Sequence, residues 1–292
     1  MIVLSEPGVD RLSEAVRALR EWQHDRVPVQ LHPGDLGWHW RFGAKATAAA
    51  VRTWSREGQI LAVGLLDSPR LLRLAIALEA QRDEELARQM VADVARPERG
   101  VLPQGNAYIE ARFAEVFRGL LLDDGWKADE PWTPLQRDLA AAIEDCGVRI
   151  EVIGPEQARV RTGVQRAAFD GSTFTDERWH AMAAGSPYAD AQCLVAYDDE
   201  DTAVAAATVW SAGPKRPGLL EPMGVHREHR GRGYGTAITV AAAAALRVLD
   251  SSSAIVCTPS SNLGAVATYK SAGFQQLPEV CDLHRSAQRD AP

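Results

Sequence analysis

Three glycines and two arginines stand together in the segment Arg230-Gly231-Arg232-Gly233-Tyr234-Gly235. A predicted strand ends at Val225 and an alanine-rich helix is predicted from Thr236, so the segment joins a strand to a helix N-terminus. Glycines let backbone N–H groups approach a ligand closely, and the helix dipole favours negative charge at this end. The pattern therefore predicts an anion site suited to a diphosphate, with a glycine-rich structural turn as the alternative.

A second group of polar and aromatic residues lies downstream, from Asn262 to Phe274. Together with the glycine turn, this segment resembles the GNAT family of N-acetyltransferases. The family pattern is V-x-x-x-x-R-G-x-G-x-G/A followed by N-x-x-A-x-x-x-Y-x-x-x-G-F. Both parts are present, at Val225–Gly235 and at Asn262–Phe274, and the resemblance covers residues 149–285. A dinucleotide-binding interpretation of the glycines is disfavoured, because the strands upstream form an antiparallel hairpin.

The resemblance implies acetyl-CoA as a cofactor that serves as co-substrate. Backbone groups of Met223 and Val225 would bind the pantetheine arm like an added strand, and Pro222 with Gly224 is consistent with a bulge that opens a slot beside it. Asn262 would contact the pantetheine arm or the following helix. The implied cofactor-binding residues are Met223, Gly224, Val225, Arg230, Gly231, Arg232, Gly233, Tyr234, Gly235, Thr236, Asn262 and Tyr269.

The resemblance also implies direct transfer of the acyl group to a neutral amine in a ternary complex. The N–H of Met223 would stabilise the developing oxyanion. Tyr269, with an ordinary pKa of about 10, would protonate the departing thiolate. Glu221 lies on the same strand as Met223 and is the candidate base. The structural alternatives are a core aromatic for Tyr269 and a surface carboxylate for Glu221.

Two residues near this set have weaker claims to a role. His226 lies just before the glycine turn and either acts as a base or packs there. Cys257 lies on a predicted strand and is interpreted as a packing residue, because no histidine lies at a recognisable spacing for an activated thiol. The four cysteines form no C-x-x-C pair, so no metal site is predicted.

The elements that must position these residues follow the order β-α-α-β-β-β-α-β-α-β. Strands are predicted at residues 149–153, 192–197, 203–210, 219–225 and 254–258, with a last strand from Phe274, and helices at 156–169, 175–183, 236–249 and 262–271. This order matches the family's fold. The expected class is α/β (α+β), a mixed, mostly antiparallel twisted sheet flanked by helices, with a splayed slot between the fourth and fifth strands.

The N-terminal half repeats this order in weaker form. Helices are predicted at residues 10–22, 83–94 and 112–122, and strands at 50–54, 60–66, 71–77 and 107–111. A shift of 148 residues superposes Arg82 on Arg230 and Gly125-Trp126 on Gly273-Phe274. The sequence therefore predicts tandem copies of one fold, in residues 1–140 and 149–292, joined by a linker near Pro131–Gly147.

The first copy is predicted to lack the cofactor site. The same shift sets Arg82-Asp83-Glu84-Glu85-Leu86-Ala87 against the glycine turn, Ala114 against Asn262 and Leu121 against Tyr269. Acidic side chains at a helix N-terminus would repel a diphosphate. A degenerate half of this kind occurs in tandem family members such as mycothiol synthase, and its expected role is to form one side of the acceptor pocket.

The segment His32–Trp40 of this half is rich in aromatic and imidazole side chains. It is interpreted as a packed strand with buried tryptophan, with a role in acceptor binding as the alternative.

Composition excludes several other classes. The 292 residues are 46% hydrophobic and 24% charged, with a formal net charge of −7. These values exclude a disordered chain and predict no nucleic-acid partner. No apolar run reaches the roughly 18 residues of a membrane span, and the N-terminus has no basic region typical of a signal peptide. We expect a cytoplasmic monomer or homodimer.

The sequence thus favours an acetyl-CoA-dependent N-acetyltransferase that acts on a primary amine of a small-molecule acceptor. Three alternatives stay open: mycothiol-synthase-like acetylation of a cysteinyl glycoside, acetylation of a protein, and a non-catalytic acyl-CoA-binding or sensor module. No residue in the sequence identifies the acceptor.

Overall fold

The computed structural model describes residues 1–112 and 114–287. The strands are Ile2–Ser5 (β1), Val51–Arg56 (β2), Gln59–Ser68 (β3), Leu71–Ile76 (β4), Ala107–Glu110 (β5), Lys127–Asp138 (β6), Arg149–Val152 (β7), Ala191–Tyr197 (β8), Ala203–Ser211 (β9), Gly218–Val225 (β10), Ser253–Pro259 (β11), Gln275–Gln276 (β12) and Val280–Arg285 (β13). The α-helices are Leu12–Trp22 (α1), Pro33–His39 (α2), Ala44–Ala50 (α3), Glu84–Val94 (α4), Glu115–Asp123 (α5), Ala158–Ala168 (α6), Asp176–Ala183 (α7), Tyr234–Val248 (α8) and Leu263–Ser271 (α9).

All 13 strands of the described residues belong to one sheet. Along the sheet the order is β1-β2-β3-β4-β5-β13-β6-β11-β10-β9-β8-β7, with β12 beside β6. Of the strand pairs in the described residues, β4–β5 and β10–β11 are parallel and the rest are antiparallel. The prediction of a mixed, mostly antiparallel sheet flanked by helices is confirmed.

The two halves exchange strands at the centre of this sheet. The final strand β13 pairs with β5 of the N-terminal half, and β6 from the N-terminal half pairs with β11 over seven residues. Strands β6 and β13 also pair with each other. Backbone hydrogen bonds therefore join the two halves directly, in addition to side-chain packing.

Strand β6 corrects the predicted linker near Pro131–Gly147, because residues 131–138 are a central part of the sheet. The strand contains two prolines, which cannot donate a hydrogen bond to a ladder. Both still accept hydrogen bonds through their carbonyl oxygens. Pro131 accepts from the N–H of Ser260 at 2.9 Å, and Pro134 accepts from the N–H of Leu277 at 2.9 Å.

The prediction of a strand in the segment His32–Trp40 is wrong. Residues Pro33–His39 form α2, which begins with a capping box between His32 and Asp35. Proline at the first helical position suits this start. The predicted last strand from Phe274 is also corrected, because Gln275–Gln276 pairs only briefly and the main C-terminal strand is Val280–Arg285. Helix α5 begins at Glu115, three residues after the predicted start.

The other predicted elements agree closely with the structure, and the repeated order is visible in it. A shift of 148 residues carries α5, Glu115–Asp123, onto α9, Leu263–Ser271. In each half one long helix connects the two strands of a parallel pair. Helix α4 lies between β4 and β5 along the chain, and α8 lies between β10 and β11. No helix in the described part of the chain has the length and apolarity that a membrane crossing requires.

Candidate active site

Strand β10 is distorted where the candidate residues lie. Its register against β9 shifts between Leu220 and Met223, at a cis peptide bond between Glu221 and Pro222. Its parallel pairing with β11 is confined to Gly218 and Leu219. Beyond Leu219 the two strands therefore separate, which is the predicted slot.

Backbone groups of Met223 and Val225 point into this slot. The N–H of His226 donates to the carbonyl oxygen of Val204 on the β9 side, at 2.8 Å. Orientation alternates along an antiparallel strand, so Gly224 also faces β9. The N–H and C=O groups of Met223 and Val225 face the opposite side, where β11 has moved away. An extended ligand can therefore pair with this edge.

The glycine turn leads from β10 into α8. Gly231 and Gly233 have φ angles of 77° and 86°, which favour glycine. Gly235 sits so close to its neighbours that a Cβ there would lie 3.1 Å from Cγ2 of Thr268 and 3.4 Å from Cγ2 of Val225. Glycines at these positions let the chain turn tightly and pack against α9 at Thr268.

The N-terminus of α8 is open to an anion. Gly233 is the N-cap residue, and among the described residues no side chain caps the helix. The first N–H groups of a 15-residue helix are therefore available at the turn, with the positive end of its dipole. A glycine-rich turn with an uncapped helix start is the type of arrangement that binds anions in proteins.

The two arginines of the turn have different surroundings. Arg230 donates to the carbonyl oxygen of Ala168 at the end of α6, at 2.7 Å, so it ties the turn to that helix. Arg232 is exposed at the tip of the turn. Of the two, Arg232 is the one whose charge is free to meet an anion.

Helix α9 forms the other side of the slot. Asn262 caps this helix by accepting a hydrogen bond from the N–H of Ala265 at 3.2 Å. Tyr269 is buried on the same helix, 6.0 Å from the ring of Phe274 between ring centroids. Burial and the nearby Glu221 carboxylate raise the pKa of Tyr269 well above its ordinary value. Its phenol therefore stays protonated at neutral pH and can act as an acid.

One cavity of about 420 Å³ brings the candidate catalytic groups together. From the C-terminal half it is lined by Glu221, Met223, Cys257, Asn262 and Tyr269, among others. The N-terminal half contributes residues of β3, β4 and β5 and one residue that follows β5 closely. Those N-terminal lining residues are Asp67, Leu71, Arg73, Glu110 and Arg112.

Glu221 has the properties of a poised base. Its side chain is 37% exposed, and it lines the cavity. Burial raises the pKa of this carboxyl, Arg73 opposes the shift, and the charges of Asp67 and Glu110 add to it. A carboxylate whose pKa moves towards neutrality accepts a proton from an amine more readily than an ordinary one. The surface-carboxylate alternative therefore loses support.

Arg73 is the centre of the charge network beside Glu221. Its guanidinium lies 2.8 Å from Asp35, 2.9 Å from Glu110 and 3.8 Å from Glu221. Burial works against its charge, but the surrounding carboxylates raise the pKa of Arg73 well above the ordinary value. Arg73 is thus permanently charged and fixes the positions of these carboxylates.

Asp35 connects α2 to this network. Its carboxylate accepts a hydrogen bond from the N–H of His32 at 2.6 Å as well as contacting Arg73. Helix α2 is pressed against the C-terminal half, because Cβ atoms at Gly34 and Gly37 would lie 2.5 Å and 2.3 Å from the side chain of Trp210. The segment 32–40 therefore contacts the cavity lining indirectly, because its Asp35 holds Arg73 in place.

A second arginine closes the other side of the cavity. Arg112 lies 3.3 Å from Glu110 and 3.0 Å from Asp282, with its guanidinium 5.4 Å from the centre of the Trp132 ring. Its Nη1 is 3.4 Å from Sγ of Cys257. Burial nevertheless raises the pKa of Cys257 to about 11, so the thiol is protonated at neutral pH. This agrees with its interpretation as a packing residue.

His226 lies apart from the cavity lining. Its Nδ1 accepts a hydrogen bond from the N–H of Glu228 at 3.3 Å, and its ring packs 5.3 Å from that of His229. The structure thus gives His226 a local role in the turn that precedes the glycines.

The charged part of the cavity was missed by sequence reasoning. Its charged residues Asp67, Arg73, Glu110, Arg112 and Asp282 come from both halves and meet only in the folded chain. One signal was available, because Arg73 interrupts the apolar run of β4, Leu71–Ile76. A charge within a buried strand requires a partner.

Comparison with known proteins assigns part of the chain to a family. Residues 164–274, which include β8 to β11, α8 and α9, match the model of the acetyltransferase (GNAT) family. No curated protein matches the sequence.

Solved structures show the same fold over the whole chain. A GCN5-related N-acetyltransferase from Sphaerobacter thermophilus is 17% identical with a TM-score of 0.59, covering 99% of this chain and 97% of that one. A GNAT-family acetyltransferase from Colwellia psychrerythraea is 17% identical with a TM-score of 0.59, covering 98% and 99%. A tandem GNAT protein from the clavulanic acid biosynthesis pathway is 13% identical with a TM-score of 0.61, covering 100% of both chains.

The family match spans the segment that holds the separated strand, the glycine turn and Tyr269. Residues 164–274 of the C-terminal half therefore match the acetyltransferase domain of the GNAT family.

Proposed function

We propose that this protein is an acetyl-CoA-dependent N-acetyltransferase that transfers an acetyl group to a primary amine of a small-molecule acceptor. The observation that carries the proposal is the cavity of about 420 Å³, which brings Glu221, Met223 and Tyr269 together beside the slot. It unites a base, an oxyanion donor and an acid, which are the groups that direct acyl transfer requires.

The cofactor is proposed to lie along the open edge of β10 and across the start of α8. Its diphosphate would meet the N–H groups of residues 231–236 and the charge of Arg232, and its pantetheine arm would pair with Met223 and Val225. Acetyl-CoA supplies an activated thioester there. One cofactor is expected per chain, in residues 149–292, because the N-terminal half, residues 1–140, has an acidic helix start instead of glycines.

The chain's own residues account for the proton and charge movements of a direct transfer. Glu221 accepts a proton from the acceptor's ammonium group, and the loss of this proton leaves a neutral amine. The N–H of Met223 stabilises negative charge on the thioester carbonyl oxygen as the C–N bond forms. As the C–S bond breaks, Tyr269 donates its proton to the sulfur, and the proton lost by the new amide nitrogen restores the phenol.

Two features of the structure support a transferase over a sensor. The raised pKa of Glu221 suits the role of a base, and the Tyr269 phenol stays protonated and so holds a proton to donate, whereas a binding module needs neither. The cavity also continues past the slot into space lined by both halves, which leaves room for a second substrate. We propose the cytoplasm as its location, since all four cysteines are free thiols.

The test combines calorimetry with a thiol-release assay. We expect one molecule of coenzyme A to bind per chain, and acetyl-CoA to release free thiol in the presence of a primary amine from a panel of small aliphatic, sugar and amino-acid amines. Coenzyme A binding without turnover of any amine would favour the sensor. Two equivalent sites per chain would overturn the assignment of one competent half.

A further inference from the structure

The acceptor side of the cavity carries an excess of negative charge. Its lining includes four carboxylates and two guanidinium groups, namely Asp67, Glu110, Glu221, Asp282, Arg73 and Arg112. The formal excess is therefore two negative charges. An enclosed site with unbalanced charge favours a ligand of the opposite sign.

Two of the four carboxylates are already paired at short range. Glu110 lies 2.9 Å from Arg73, and Asp282 lies 3.0 Å from Arg112. Even so, the buried Oε1 of Glu110 accepts no hydrogen bond within the described part of the chain, and its nearest guanidinium atom, on Arg112, is 3.3 Å away. The two arginines are thus fully used by their nearest partners, and the network still has acceptor capacity.

Asp67 and Glu221 are the two carboxylates that remain loosely paired. They lie 4.0 Å and 3.8 Å from the same atom, Nη1 of Arg73. Their side chains are 29% and 37% exposed, and both line the cavity. They come from different halves, Asp67 from β3 and Glu221 from β10. Two accessible carboxylates in the cavity lining therefore lie within 4.0 Å of the same guanidinium atom.

The surface between these charges is suited to a short hydrocarbon chain. The same cavity is lined by the apolar side chains of Leu71, Leu220 and Trp132. Methylene groups pack favourably on such surface, whereas a polyhydroxylated ligand needs hydrogen-bonding groups in their place. The volume of about 420 Å³ has to hold both the thioester end of the cofactor and the acceptor, so the acceptor is small.

We propose that the acceptor is a short aliphatic diamine, or an amine with a second cationic group in an equivalent position. Glu221 takes the proton from the ammonium group that reacts, and Asp67 binds the second ammonium group, which stays charged throughout. A dication balances the two excess negative charges of the cavity. This inference rests on the proposed function, because it assigns the substrate class of the same site.

The test compares three amines of equal chain length with the full-length protein. The probes are 1,4-diaminobutane, 1-aminobutane and 4-aminobutanoate, four-carbon primary amines whose far ends are a cation, an uncharged methyl group and an anion. We expect kcat/KM to be at least about tenfold higher for the diamine than for 1-aminobutane, and lowest for the amino acid. Equal values for the diamine and 1-aminobutane would overturn the inference and leave the N-acetyltransferase proposal intact.

Variants separate binding of the second cation from a structural role. Asp67→Asn keeps the shape of the side chain, so we expect KM for 1,4-diaminobutane to rise about tenfold relative to KM for 1-aminobutane. Because the charge of Asp67 also raises the pKa of Glu221, a change in kcat is expected to be shared by both amines. Asp199→Asn, the same change at an exposed site outside the cavity, should leave both amines unaffected. Glu221→Gln should lower kcat for both.

Each further outcome also has a definite meaning. If Asp67→Asn impairs both amines equally, Asp67 supports Arg73 and does not bind the acceptor, which overturns the inference. If no amine turns over, the proposed function fails, and calorimetric binding of 1,4-diaminobutane still decides the inference. Binding of the diamine that Asp67→Asn weakens would support it, and no binding would sink it.

Discussion

Helices α8 and α4 hold corresponding positions in the two halves, but their N-termini present opposite chemistry. Helix α8 starts at Gly233, and no side chain in the described residues caps it. Helix α4 starts at Asp83, whose carboxylate accepts a hydrogen bond from the N–H of Leu86 at 2.9 Å. Glu84 and Glu85 follow in its first turn. The N–H groups that could bind an anion in one half are therefore occupied by the chain's own carboxylate in the other.

The strand pairs next to these helices differ in the same sense. Strands β10 and β11 separate after Leu219, which leaves an open edge. In the N-terminal half, the edge of β4 is covered, because the carbonyl oxygen of Leu74 accepts a hydrogen bond from the N–H of Leu31 at 3.2 Å. The paired residues Arg73 and Glu110 of β4 and β5 also form an ion pair at 2.9 Å. The fold alone thus creates no cofactor site.

The two halves nevertheless contribute matching positions to one cavity. A shift of 148 residues places Arg73 at Glu221, and their side chains lie 3.8 Å apart. In one half this position holds the base that we propose, and in the other it holds the cation that keeps neighbouring carboxylates in place. In the function that we propose, the N-terminal half binds no cofactor and contributes charged residues to the acceptor site.

The largest effect is expected at Tyr269, whose counterpart in the N-terminal half is the buried Leu121. Tyr269→Phe removes the proton donor but keeps the ring, so turnover should fall about 100-fold while coenzyme A affinity stays within about twofold. Steady-state thiol release gives the turnover, and calorimetry gives the affinity. Tyr108→Phe, the same change on the surface of the N-terminal half, is the matched control. Unchanged turnover in Tyr269→Phe would remove the phenol from the mechanism.

The next effect tests the contrast between the two helix starts directly. Gly233→Asp puts a carboxylate at the N-cap of α8, as Asp83 does in α4, and should weaken coenzyme A binding about 10- to 100-fold through repulsion of the diphosphate. Because Gly233 has a φ of 86°, part of any loss reflects backbone strain. Gly233→Asn carries the same strain without the charge and is expected to bind far better.

Calorimetric titration of both variants with coenzyme A measures the contrast. Equal affinities for Gly233→Asp and Gly233→Asn would show that charge at this helix start does not affect coenzyme A binding. The acidic start of α4 would then not explain why we expect no cofactor in the N-terminal half.

Much of the fold followed from local signals in the sequence. The C-terminal helices and strands were predicted because glycine turns, caps and apolar runs mark their ends, as Thr175 does by accepting from the N–H of Arg178 at 3.3 Å. Strand β6 was missed because its two prolines argue against a ladder, and its place was set by pairing with residues more than 100 positions away. Strand exchange is a long-range property that no local pattern encodes.

The candidate site divides in the same way. The glycine turn and Tyr269 lie within one half, where the spacing of a known pattern places them. Asp67, Arg73 and Arg112 belong to the other half and reach the cavity only because the two sheets are continuous. The acceptor pocket was therefore not predictable from motifs, since its charges converge through tertiary structure.

The smallest effect is expected from removing the carboxylate cap of the N-terminal half. Asp83→Ala removes the hydrogen bond to Leu86 and the 2.7 Å ion pair with Arg56, which should lower the free energy of unfolding by about 1 kcal/mol at pH 7. Hydrogen bonding to Arg56 holds the pKa of Asp83 below its ordinary value. Its contribution is therefore present above the unfolded pKa and is lost as the pH falls through the lowered folded one.

Urea unfolding of both proteins at pH 7 and in acid measures this difference, which should shrink at low pH. The same variant tests whether the Asp83 carboxylate alone prevents coenzyme A from binding to the N-terminal half. Because Leu31 still covers the edge of β4 and no glycines open the turn, calorimetry of Asp83→Ala should again give one coenzyme A per chain. A second site would mean that the covered edge and the missing glycines are unimportant, and that charge at one helix start decides which half binds the cofactor.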